Sequence, residues 1–117
     1  MRVLGLVRDF MFRSKIDAAC EALGVEVGYV SALDRLAERC SEIQPSVVMV
    51  DLSERAFAPD ETMAALSNCA PGARVIGFAS HVDLKALAGA RQAGFMRVLS
   101  RQEFAAQLPA LLRDAQA

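Results

Sequence analysis

Asp51 stands directly after four uninterrupted apolar residues, Val47 to Val50, in the stretch SVVMVDLS. Such a run is how a strand buried on both faces of a parallel sheet reads, and ligands of those sheets gather where the strands end. Chemistry is therefore expected around Asp51. Arg8 and Asp9 follow a second apolar run, Arg2 to Val7, and belong at the same end of the sheet. A cation there, beside the start of a helix, suits a phosphate or another small anion. His81 lies just past a third such run but has no acid or nucleophile at catalytic spacing, so it reads as an ordinary loop histidine. Cys20, Cys40 and Cys69 are too widely spaced for a CxxC pair or a zinc ligand set, and each falls within a helical apolar pattern. They read as small core residues in a reducing cytoplasm.

The elements that must hold these residues alternate. Arg2 to Val7 reads as the first strand; Ile16, Ala19, Cys20 and Leu23 then recur at helical spacing, with Gly24 as the stop. Val25, Val27 and Tyr29 alternate with Glu26 and Gly28, a second strand near a sheet edge. Ser31 is placed to cap a helix with Leu33, Leu36, Ala37, Cys40 and Ile43 on its apolar face, closed by Pro45. After the strand to Asp51, Pro59 and Asp60 open a helix carrying Met63, Ala64 and Leu66, which ends at Pro71 and Gly72. Arg74 to Ala79 is a fourth strand, and Val82 to Ala93 a helix with Leu84, Leu87 and Ala88 on one side, stopped by Gly94. Phe95 to Leu99 is a fifth strand ending at Ser100 and Arg101. In the last helix Phe104, Leu108, Leu111 and Leu112 face inward, and Pro109 is a local defect.

Strict alternation with short loops predicts an α/β fold: a doubly wound, five-stranded parallel sheet flanked by helices, a flavodoxin-like three-layer sandwich. With 117 residues, 54% hydrophobic and 23% charged, one domain spanning 1–117 can bury a sufficient core without metal or disulfide help. The last three residues, AQA, read as a frayed terminus or the start of a linker. A formal charge of -1 supplies no general attraction to nucleic acid or an anionic membrane. The apolar run at the start is too short for a signal peptide or a span before Arg8 and Asp9 interrupt it, so a cytoplasmic, soluble protein is expected. Neither GxGxxG after the first strand nor GxxxxGK[ST] occurs, and RDFMFR lacks the Ser/Thr and Gly density of flavin phosphate loops.

The chain resembles the receiver domain of bacterial response regulators over nearly its whole length. The resemblance rests on the acidic position after the first strand, the carboxylate closing VVMVD, and the segment ARQAGFMRVLSRQEF. It implies that Asp51 corresponds to the phosphoacceptor and Asp9 to one of an acidic pair. Other working positions depart from the family pattern. Arg8 replaces the first acid, Ala79 the hydroxyl residue after the fourth strand, Arg97 the aromatic of the fifth strand, and Ser100 the lysine at its end, with Arg101 next to it.

Each departure opposes phosphotransfer. Acyl-phosphate formation in this family implies a magnesium ion, which wants near-octahedral oxygen ligands. An arginine in place of an acid changes the local charge by two units. At about 4 Å and an effective dielectric near 20, each unit charge contributes on the order of 4 kcal/mol, so Mg2+ binding is expected to be weak or absent. Arg8 is expected to pair with Asp51 or Asp9 instead. Arg101 is expected to point away from Ser100, since neighbouring strand residues face opposite sides. The expectation is a non-enzymatic, degenerate receiver that acts as a phosphorylation-independent interaction or dimerisation module in signalling or transcriptional regulation. Its partner, another protein or a second copy, would meet the fourth helix, fifth strand and fifth helix; nucleic acid and membrane are not expected partners. The alternatives are an atypical receiver still phosphorylated on Asp51, and a small-anion or ligand sensor using the strand-end crevice.

Overall fold

The computed structural model describes residues 1–116. Five strands, β1 (Arg2–Leu6), β2 (Glu26–Tyr29), β3 (Val47–Asp51), β4 (Arg74–Ala79) and β5 (Arg97–Ser100), alternate with five helices, α1 (Phe10–Ala22), α2 (Leu36–Ile43), α3 (Pro59–Cys69), α4 (Leu84–Ala93) and α5 (Arg101–Gln116). The strands pair only in parallel, in the order β2-β1-β3-β4-β5. Helices cover both faces, as the alternation predicts.

Side-chain alternation along the strands sorts the core into two layers. Val3, Val47, Met49, Ile76, Phe78 and Leu99 face α1 and α5, where Ile16, Phe104 and Leu112 meet them. Leu4, Leu6, Val48, Val50, Val75 and Ala79 face α2, α3 and α4. β3 is buried at every position because it lies in the middle of the sheet with a layer on each side. Gly77 on β4 is required by close approach: a Cβ there would stand 2.8 Å from both Leu52 Cδ1 and Phe95 Cδ2.

Several local expectations need correction. Ser31 caps nothing: a 3₁₀ turn, Leu33–Arg35, precedes α2, and the Ser31 hydroxyl instead accepts from Arg13. α5 runs through Pro109, which sits exposed on its outer side between buried Leu108 and Leu111 and does not shorten the helix. On α4 the buried residues are Leu87 and Ala90, with Ala86 and Ala93 half-buried; Leu84, at 71% exposure, and Ala88 face solvent. The helix docks through small alanines, and the apolar stripe expected inside is rotated partly outward.

Candidate functional site

The carboxyl ends of β1, β3, β4 and β5 bring the site residues together. Asp51 is the last residue of β3 and only 1% exposed. Its Oδ1 accepts from the Ser53 backbone N–H at 3.1 Å and from the Ser53 hydroxyl, an Asp turn closed over two residues. The same hydroxyl accepts a hydrogen bond from Arg101 Nη2. A serine hydroxyl has one proton to give and lone pairs to receive, so both bonds coexist. The result is a chain from guanidinium to hydroxyl to buried carboxylate.

Arg101 reaches this position because the chain has already left β5. The strand ends at Ser100 and Arg101 opens α5, so strand alternation no longer governs where it points. Its guanidinium lies 5.9 Å from the centroid of Phe12, above an aromatic stack that runs from Phe12 to Phe78 (5.0 Å between centroids) and on to Phe104 (4.1 Å). These rings come from α1, β4 and α5 and form an apolar layer beneath the arginine.

Ser100, placed by the resemblance at the lysine position, has a different task here. Its hydroxyl accepts from the Glu103 N–H at 3.1 Å while its own N–H donates to Glu103 Oε1 at 2.9 Å, the reciprocal cap that starts α5. Those bonds, from the Ser100 N–H first and its hydroxyl second, hold the Glu103 carboxyl below its ordinary pKa. Ser-Arg-Gln-Glu is the readable signature of that cap, and it carries the shift of the strand end by one residue.

Arg8 does not pair with Asp51 or Asp9. Its nearest acid is Glu54, at 3.9 Å, and its side chain is half exposed. Asp9 is occupied: its Oδ1 accepts from the N–H groups of Met11 (2.8 Å) and Phe12 (3.2 Å) and so caps α1. Ala79 is fully buried and offers no hydroxyl. The neighbouring Ser80 hydroxyl receives the Val82 N–H at 3.4 Å in the turn before α4. Arg97 is exposed on the edge strand and donates to Gln107 Oε1 of α5 at 3.2 Å. Ser53 and the aromatic stack are the parts of the site that the sequence reading passed over.

Among the described residues no group of three His, Cys, Asp or Glu side chains is arranged to hold a metal ion, and no helix is long and apolar enough to cross a membrane. Beside the crevice, between the loop after β3 and α4, lies an open groove of about 780 Å³ lined by Ser53 but not by Asp51. Glu54, Asp60, Glu61 and Asp83 outnumber Arg55 and Lys85 along its walls.

No protein-family model matches the chain, and a search of curated proteins finds no match. Solved structures do match. An orphan response regulator of H. pylori superposes with a TM-score of 0.80 at 13% identity, covering 100% of this chain and 97% of that one. The signal receiver domain of an HD domain-containing protein from Pseudomonas fluorescens gives 0.81 at 16% identity, covering 97% and 85%. The CheY-like protein TadZ from Pseudomonas aeruginosa gives 0.77 at 15% identity, covering 98% of each. The chain has the CheY-like, flavodoxin-type fold of response-regulator receiver domains.

Proposed function

We propose that this receiver-fold chain no longer works by phosphotransfer and serves, in the cytoplasm, as a phosphorylation-independent interaction or dimerisation module in bacterial signalling or transcriptional regulation. The observation that carries this reading is the closed chain from Arg101 through Ser53 to Asp51. The Oδ1 of this buried carboxylate is already held by its own loop, with a cation held over that loop, so the group depends less on a metal ion to be stable there.

The remaining groups support the same reading. A receiver fold implies magnesium, but the donors around Asp51 fit it poorly: Asp9 gives its Oδ1 to the helix cap, and Arg8 brings a guanidinium to the strand end where a second acid would be wanted. Mg2+ binding is therefore proposed to be weak or absent, and no step is assigned to it. Ala79 gives no hydroxyl and Arg97 gives no aromatic ring with which to relay a change at Asp51 to the outer surface.

The proposed contact surface is α4, β5 and α5, where Val82 and Leu84 are 72% and 71% exposed and Arg91 and Arg97 lie exposed nearby in the chain. Its occupant is a second copy or another protein; neither nucleic acid nor membrane is proposed. Sedimentation velocity over a range of concentrations tests this. Association that persists in Asp51→Asn and is lost in Leu84→Glu is the expected result for a homodimer, and a monomer at every concentration assigns the surface to a different protein. Association that depends on Asp51 would overturn the reading.

One observation favours a second reading, a receiver still phosphorylated on Asp51. Arg101 places a cation at the crevice, where phosphoryl oxygens would need one. The third, an anion sensor, is disfavoured by the acidic lining of the neighbouring groove.

A further inference from the structure

α2 and α3 pack side by side on the face of the sheet away from α1 and α5, and each carries a cysteine at the contact. Cys40 Sγ and Cys69 Sγ are 3.1 Å apart although 29 residues separate them in sequence. Cys40 is buried and Cys69, the last residue of α3, is half-buried; both border a cleft of about 390 Å³ that also involves Gln44, Pro45 and Pro71. Cys20 lies in the other core layer, between the sheet and the α1 side, out of reach of both.

We propose that Cys40 and Cys69 are a redox modification site that closes to an intrachain disulfide under a peroxide oxidant. A disulfide needs about 1 Å of further approach between these sulfurs. Cys69, the more exposed of the two, meets a small oxidant entering the cleft first. The Cys69 sulfur attacks one oxygen of hydrogen peroxide and the O–O bond breaks. The released hydroxide takes the Cys69 thiol proton and leaves as water, and Cys69 is then a sulfenic acid. Cys40 sulfur attacks that sulfur and expels its hydroxyl, which takes the Cys40 proton and leaves as a second water. Two thiols lose two electrons in all, and one peroxide becomes two waters.

Burial, followed by the hydrogen bond shared with Cys69, pushes the Cys40 thiol up to about 12. Cys40 is therefore protonated at neutral pH, closure is slow, and a disulfide whose leaving thiol is this basic reopens slowly. Both residues precede the turns that lead into the starts of β3 and β4, so the bond would form at the end of the sheet remote from Asp51. It would enclose β3 and the Ser53 loop in a covalent ring without touching the crevice, independently of the function proposed above.

The test uses the reduced, folded chain held for hours in millimolar hydrogen peroxide in native buffer, then unfolded in denaturant, alkylated and digested without reductant. The expected product has lost two hydrogens, alkylates only at Cys20, yields a peptide pair linked through Cys40 and Cys69, and recovers three reactive thiols after dithiothreitol. Its melting temperature should rise by about 5 °C or more, since the cross-link constrains the unfolded chain. Cys20→Ala should behave alike, and Cys69→Ser should form no intrachain bond. Three thiols still alkylatable, oxidation stopping at a sulfinic acid on Cys69, a bond to Cys20 or between chains, or a lowered melting temperature would each overturn the proposal.

Discussion

Two regions of the molecule use their side chains in opposite ways. At the carboxyl ends of the strands the polar groups turn inward on one another: Asp51 to Ser53, Ser53 to Arg101, Asp9 to the start of α1, Ser100 to Glu103. At the start of α4, Val82 and Leu84 are turned to solvent and a run of alanines docks the helix. Phe10 and Met11 at the start of α1 are a second exposed apolar pair, with Arg13 5.6 Å from the Phe10 ring centroid. A crevice built for exchange with ligands leaves polar groups unpaired until the ligand arrives. Here large apolar side chains lie on the outside, as the proposed contact surface requires.

Substitutions sharpen that contrast, and the largest effect should come from the layer under the crevice. Phe104→Ala removes the fully buried end ring of the aromatic stack, beneath Phe78, and should cost about 3 to 5 kcal/mol in urea unfolding. A cost under about 1 kcal/mol would mean that the stack does not hold the site. Asp51→Ala leaves the Ser53 N–H and hydroxyl without their acceptor and should cost about 1 to 3 kcal/mol, while Asp51→Asn, which keeps an acceptor oxygen, should cost less. An Asp51→Ala variant more stable than the parent would show the carboxylate to be a strained, held-open group instead.

Next in size is the α5 cap, where Ser100→Ala should cost about 1 kcal/mol. Its partner Glu103 has a folded pKa below the ordinary value, so its stabilising effect is complete above the ordinary carboxylate range and fades as pH falls through the lower, folded-state pKa. Glu103→Gln should flatten that acid limb in a pH series of melting curves. An unchanged limb would remove the charged cap from the account. The smallest effect is expected on α4: Leu84→Ser should change stability by no more than about 0.5 kcal/mol, because its side chain already meets water. A loss as large as that of Asp51→Ala would mean that the exposed stripe is structural.

Much of this arrangement is legible in the order of residues. The uninterrupted VVMV run places Asp51 at a strand end in the middle of the sheet, and that is where it lies. What escapes is decided by side-chain reach and by single-residue boundaries. The sequence sets Arg8 against Asp51 or Asp9, but a long side chain beside a loop takes the acid that the loop presents, here Glu54. Arg101 was expected to face away because β5 was read without its helix cap; once Ser-Arg-Gln-Glu is recognised as a cap, the residue belongs to α5 and turns back over the sheet. On α4 helical periodicity favours Leu84, Leu87 and Ala88 as one stripe, whereas the buried line runs through Leu87 and Ala90, because alanine carries too little hydrophobic signal to mark the face that a close-packed helix uses.

The most direct test of the proposal that this crevice takes no part in phosphotransfer is intact-mass measurement after incubation with magnesium and a small acyl-phosphate donor. The account predicts an unchanged mass for the chain and for Asp51→Ala alike. A gain of one phosphoryl group in the chain, absent in Asp51→Ala, would contradict it.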